Sequence, residues 1–404
     1  MKKVYIILFC ILTCSPAVWG QPPTKWRGPD SDGIYPETGL LKRWPAEGLK
    51  LLWSFDGMDQ GFTSPAISGG FIYMASMMGE TGYLFKLSLD GKMVWKRPYG
   101  EEYHERYPGA RSTATVAGNH VYLLSGVGKL VCMNTSDGSM VWSKHLVDDL
   151  GGQLNRYGFN ESVVVDGDIV YCTPGGVSQS VAALNRFTGQ LVWKAPGKGD
   201  KAAYCTPLLI RYPSRTLLVT HTESHILGID TRNGSLLWSF EWPNQMLEHQ
   251  NTPLYRDNEL FCFSGYGKGA VMLTLGRDGG TVSQKWVNKK FDNRMGGAVV
   301  IDGYIYGAGH NNRFWQCLEW ETGKEMYTSR ELTMGVVIAA DGMLYCYDET
   351  GVLALVKPDP GKFNIVSRMK ITSGTGSQWA HPVIQEGVLY IARGSTIMAY
   401  DIKN

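Results

Sequence analysis

The sequence predicts an all-β ring: an eight-bladed β-propeller of four-stranded antiparallel blades, closed by an N-terminal strand around Trp53. Three observations lead there. A phrase of strand, Gly-containing tight turn, short apolar strand and Trp recurs about every 45 residues, the mark of a repeat architecture. Each copy is small and apolar over much of its surface, so it is stable only when packed against neighbours. Finally, the last hairpin reaches Asn404 with no closing Trp strand, while LLWSF around Trp53 is a closing strand with no hairpin before it. Joining the two closes the ring and removes exposed sheet edges. A pair of β-sandwiches would also give short strands, but not a turn-plus-Trp phrase at constant phase.

The elements follow in order. In the third copy, ESVVVDGDIVY is a hairpin turning at Asp166-Gly167, TPGGVSQS is a polar connection, and VAALNRFTGQLVW is a second hairpin turning at Thr188-Gly189. These turns need a residue at positive φ, which Gly supplies. The flanking Val, Ile, Leu, Tyr and Trp suit short half-buried strands. First hairpins begin near Ser64, Ser112, Ser162, Thr206, Thr252, Gly297, Val336 and His381. Closing aromatics fall at Trp53, Trp95, Trp142, Trp193, Trp238 and Trp286, with Tyr327 and Val366 in two weaker copies.

Residues 1–20 stand apart. Lys2 and Lys3 precede a short apolar run and the segment SPAVWG, the pattern of a secretory signal cleaved after Gly20. The run is too short to span a bilayer stably, and Phe9 and Thr13 stand where lipidation of Cys10 or Cys14 would want a small residue. The expectation is an exported chain, periplasmic or secreted, with residues 21–404 as one domain that forms the ring from about Trp26 with no linker. The 39 basic residues include the leader's two, leaving 37 against 37 acidic ones. A nucleic-acid partner would need a clustered basic footprint, and none is visible. Six Cys follow the leader. Cys172, Cys262 and Cys346 repeat at equal phase, a blade's width apart, so they cannot bridge one another and read as buried thiols. No spacing matches a metal site.

The phrase D-x-x-T-G-x-x-x-W resembles the repeat of the pyrroloquinoline-quinone (PQQ) dehydrogenase propellers, over nearly all of the mature chain. The opening WRGPDSDGIYPETGLLKRWPAEGLKLLW looks like that of exported bacterial PQQ-like repeat proteins. The propeller subunit of the outer-membrane β-barrel assembly machinery is in the same wider group. The resemblance implies a scaffold and not a reaction. Quinone dehydrogenases carry adjacent cysteines over the cofactor and are longer; this chain has no Cys-Cys pair, so no PQQ is expected.

In such blades the interblade loops and the loops between second and third strands open on one face. Here these are the long ones, including 96–111, 143–161, 239–251, 264–270 and 307–315. Residues ahead of each first strand are expected to ring a funnel: Arg111, Glu161, Tyr204, His249, Gln250, Arg294, Trp379 and His381, with Arg156, His310 and Arg313 nearby. Paired arginines would hold a carboxylate or phosphate. Glu161, Tyr204, His249 and His381 are the catalytic candidates, Tyr and His as proton donor and acceptor in uronate β-elimination. Each also has a structural reading. Glu161 would pair with Arg111 or Arg156, Tyr204 and Trp379 would pack, the two histidines would be hydrogen bonders, and 310–313 a solvated loop. Two functions remain open: a scaffold binding a protein or glycan on the funnel face, or a carbohydrate-active lyase or hydrolase.

Overall fold

The computed structural model describes residues 22–404, so the leader and its cleavage point lie outside the described residues. Eight antiparallel sheets follow one another in chain order, each a four-stranded meander. Blade 3 is representative: Val164–Asp166, Ile169–Cys172, Val181–Asn185 and Leu191–Ala195. Blade 8 takes three strands from the C-terminus and its outer strand, Lys50–Phe55, from the N-terminus. Trp53 lies opposite Ala399, so the closure expected from sequence is observed.

The recurring Trp is the seam between blades. In every blade a register shift precedes the closing residue of the outer strand. Such a bulge re-aims the following side chain. The indole N–H then donates to a turn carbonyl of the next blade: Trp53 to Leu89 at 2.8 Å, Trp142 to Arg186 at 2.9 Å, Trp193 to Thr231 at 2.9 Å. The ring covers that turn's glycine: a Cβ on Gly189 would sit 2.8 Å from Trp142, and one on Gly234 would sit 2.6 Å from Trp193. Apolar side chains of adjacent blades fill the wedge, as Leu217, Val219 and Trp238 do with Leu260, Cys262 and Val271. All six cysteines among the described residues are buried and free.

The ring does not begin at Trp26. Residues 24–35 lie inside it. Thr24 exchanges hydrogen bonds with Val116 on the innermost strand of blade 2. Ile34–Tyr35 adds a parallel strand to the innermost strand of blade 7, Gly335–Ala340. Between these anchors the side chain of Arg27 donates to Ala298 O at 2.7 Å, to Val337 O at 3.1 Å and to His381 Nδ1 at 2.8 Å, bridging blades 6, 7 and 8. A segment bonded to the innermost strands of blades 2 and 7, three places apart around the ring, and reaching blades 6 and 8 through Arg27, occupies the channel as a plug. No helix among the described residues is long and apolar enough to cross a membrane.

Candidate functional site

The mouth of the ring, above the plug, holds a cavity of about 280 Å³. Its wall is built by pairs of residues two apart, just ahead of the innermost strands: Phe62 and Ser64, Arg111 and Thr113, Asn160 and Ser162, Tyr204 and Thr206, Glu248 and Gln250, Trp379 and His381. In extended chain, residues i and i+2 share a face and i+1 points away. Blade 6 contributes Arg294 and Met295, and Trp26 enters from the plug.

In every pair but that of blade 5, where Thr252 Oγ1 donates to Thr206 O instead, the lower residue joins a collar. His381 N–H donates to Ser64 Oγ at 2.9 Å, Ser64 N–H to Thr113 Oγ1 at 3.0 Å, Thr113 N–H to Ser162 Oγ at 3.0 Å, and Ser162 N–H to Thr206 Oγ1 at 3.0 Å. Each hydroxyl satisfies a backbone donor of the preceding blade that would otherwise be buried without partner. Asn251 continues the stitching to blade 6 through Asn293 O and Gly297 N–H.

Above the collar one side of the mouth is aromatic. Phe62 and Trp379 have ring centroids 4.9 Å apart, Trp379 and Tyr107 5.4 Å, Tyr107 and Tyr157 6.0 Å, and Tyr157 and Tyr204 6.4 Å. The rings are tilted by 38° to 59°, making a curved wall. The other side is polar. Glu248 accepts from Tyr266 Oη at 2.6 Å and Gln250 Nε2 at 3.2 Å. Burial pushes the Glu248 carboxyl up, against the pull of those hydrogen bonds and of Arg294 and Arg156. The Arg294 guanidinium lies 5.5 Å from the Trp379 ring centroid and 3.8 Å from Glu349.

Of the residues expected from sequence, Arg111, Tyr204, Gln250, Arg294, Trp379 and His381 line the cavity. Glu161 and His249 do not, because they occupy the intervening positions of their pairs. Glu161 is buried within its blade, pairing with neither Arg111 nor Arg156 but accepting from the N–H and hydroxyl of Thr173. Burial raises its carboxyl to about 7. His249 is buried too, stacked on His221 at 5.0 Å, and burial lowers its imidazole to about 4. Arg156 is exposed, with its guanidinium 5.5 Å from the Tyr157 centroid. His310 sits in an adjoining hollow against Tyr266 at 5.1 Å, and Arg313 is exposed on its loop.

The paired-arginine clamp does not form. Arg111 already donates to Tyr157 O at 2.8 Å, Arg106 O at 2.7 Å and Tyr107 O at 2.5 Å. It shapes the two loops that carry the aromatic wall. Nor do Tyr204 and His249 face one another as acid and base. His381 is committed as well: Nδ1 accepts from Arg27, which leaves Nε2–H to donate to Met295 O at 3.0 Å. Burial and the Arg27 charge hold this imidazole well below its usual range, so it stays neutral. Glu248, Tyr266, Tyr107, Tyr157, Phe62 and Trp26 were not expected at the mouth. The signal for Glu248 was its place two residues before Gln250.

A stitched, plugged eight-bladed ring with Trp-docked blades defines the class: a PQQ-like propeller. The family model described as outer membrane protein assembly factor BamB matches residues 37–148 and 80–329, and the chain belongs to that family. The outer membrane protein assembly factor BamB of Shewanella oneidensis is 23% identical over 348 residues, covering 81% of this chain and 81% of that protein. The crystal structure of BamB from Moraxella catarrhalis superposes with a TM-score of 0.63 at 14% identity, covering 88% of this chain and all of that one. A europium-containing methanol dehydrogenase superposes with a TM-score of 0.64 at 12% identity, covering 89% and 87%. These structural likenesses concern the fold.

Proposed function

We propose that this chain is an exported, non-catalytic docking scaffold that presents the loop-rich mouth of its propeller to a protein partner. Its relatives carry the name outer membrane protein assembly factor, and assembly of envelope proteins is the setting the family membership supports. The observation that carries the reading is the commitment of three polar residues of the mouth, two of the residues proposed for catalysis among them. His381 is held by Arg27 and Met295, Arg111 by three carbonyls, and the Tyr204 hydroxyl accepts the Tyr157 N–H. A general acid or base needs a free group within reach of substrate, and these are occupied in holding loops. The leader pattern supports export, and the missing Cys-Cys pair supports a role without quinone.

Tyr107, 57% exposed on the rim, is where a partner would be touched. A photo-crosslinking residue in place of Tyr107, offered detergent-solubilised outer-membrane proteins, should give a discrete adduct. The same residue in place of Val192, 53% exposed on the outer strand of blade 3, should give none. Equal labelling from both positions, or from neither, would remove the docking reading.

A further inference from the structure

The mouth cavity has polar atoms that nothing in the protein satisfies. Glu248 Oε1, Gln250 Oε1, Arg294 Nε and Arg111 Nε are buried and have no hydrogen-bond partner. Glu248 is 3% exposed and Gln250 9%, so bulk water does not bathe them freely. Each unmet group of this kind carries a desolvation cost that a bound molecule would relieve. The four demand different things. The two oxygens need donors and the two guanidinium nitrogens need acceptors.

That mixture excludes simple ions. An anion would accept from Arg294 but face the Glu248 carboxylate. An ammonium would donate to Glu248 but meet Arg294, with Arg111 also lining the cavity. A neutral molecule with several groups that both donate and accept meets all four, and hydroxyls do so. The opposite wall sets the shape. Phe62, Trp379 and Tyr107 are inclined to one another by 38° and 59°, a cup and not a parallel slot. A planar heteroaromatic stacks best on parallel rings, whereas the C–H face of a puckered ring rests against a cup. At about 280 Å³ the space lies at the small end of ligand pockets.

We propose that the mouth cavity is a saccharide site that takes a neutral pyranose ring, its apolar face on Phe62 and Trp379 and its hydroxyls toward Glu248, Gln250 and Arg294. The assignment rests on the mouth being a binding site and not a reacting one. It sets the charge class of the ligand: the uronate expected from sequence is disfavoured, because Glu248 faces the place its carboxylate would take.

The test is a titration of the purified chain with methyl glucopyranoside, N-acetylglucosamine, cellobiose, glucuronate and adenosine. Ligand-observed saturation transfer and tryptophan fluorescence provide the readouts. At least one neutral sugar should bind saturably and about tenfold more tightly than glucuronate or adenosine. Trp379→Ala and Gln250→Met should each weaken it about tenfold, with an unchanged melting temperature certifying the fold of either variant. Glucuronate or adenosine binding as tightly as the best neutral sugar would overturn the proposal. So would no saturable response below about 50 mM, or well-folded variants that bind like the parent. No sugar enters the cross-linking experiment at Tyr107, so a cross-link without sugar binding overturns the saccharide assignment alone.

Discussion

Arg27 and His381 meet inside the ring, with Nη1 of the arginine 2.8 Å from Nδ1 of the histidine. The contact joins a segment near the N-terminus to the last blade, across 354 residues of chain. It fixes the histidine as a neutral tautomer and places Trp26 edge-on to it, ring centroids 5.0 Å apart. The plug therefore helps to build the mouth: what holds the channel shut also holds up one side of the cavity floor.

Replacing Arg27 tests that coupling. The guanidinium is fully buried, and burial lowers it to about 10, yet it serves carbonyls of two blades and the imidazole of a third. Arg27→Met would leave those acceptors unmet, at about 1–3 kcal/mol for each. A net loss of about 3 kcal/mol in urea unfolding is expected, with a red-shifted tryptophan emission as Trp26 loses its anchor. A variant within about 0.5 kcal/mol of the parent would mean the plug is merely lodged in the channel.

The blade seam can be probed with a matched pair of glycines. Gly167 and Gly189 both have positive φ, +54° and +69°, so alanine strains the backbone at each. Only Gly189 lies under an indole; nothing is within 4 Å of a Cβ on Gly167. Gly167→Ala should cost about 1 kcal/mol. Gly189→Ala should cost about 2 kcal/mol more, since the Trp142 ring must shift and give up its bond to Arg186 O. Equal losses in thermal melts would show that the indole does not clamp the turn.

This seam explains why the ring could be read from sequence. Docking an indole on a turn glycine needs the same residues at the same phase in each blade, so the architecture repeats in the letters. In blade 6 Tyr327 takes the Trp position, 6.3 Å from Phe363, whereas in blade 7 the residue after the bulge is Ser367 and the expected Val366 is the bulged residue itself. The plug has no such periodicity. Arg27 bonds to carbonyls that any residue could present, and those carbonyls come together only once the ring has formed. At the mouth, the loops were right but the parity was not. A one-residue step turns a side chain from cavity to core, which is why Gln250 faces in while His249 does not.

Glu161 should therefore behave as a structural acid. Its folded value of about 7 lies above the ordinary 4.5, so the native state binds the proton more tightly than the unfolded chain. Its contribution is full below 4.5 and is lost as pH rises through 7. Between those two values stability falls by at most about 1.4 kcal/mol for each pH unit. Glu161→Gln carries no charge, so relative to the parent it should gain about 3 kcal/mol between pH 4.5 and pH 8. Urea midpoints of both proteins across that range would show it, and parallel curves would place the ionised carboxylate in a better-solvated site than the structure gives it.

His249 supplies the opposite slope. Its imidazole falls from the ordinary 6.5 to about 4 through burial, with Lys268 adding to the effect and a contact to Glu223 O opposing it. Its partner in the stack, His221, is also held well below its usual range by burial and by His249 itself, and neither of its ring nitrogens has a hydrogen-bond partner. Between pH 6.5 and pH 4 the unfolded chain takes up protons that the folded pair refuses, so stability falls as the pH falls. The loss attributable to His249 is at most about 1.4 kcal/mol per pH unit over that window and vanishes above it. His249→Phe keeps a stacked ring without a titrating group. Its stability relative to the parent should rise steadily as pH drops from 6.5 toward 4, and stay level from pH 7 to 8. Because Glu161 acts in the reverse sense between pH 4.5 and 7, the comparison is cleanest in a Glu161→Gln background, where only the histidine pair contributes of these groups. A flat difference there would mean that water reaches the stack and that the two rings share a proton inside the fold.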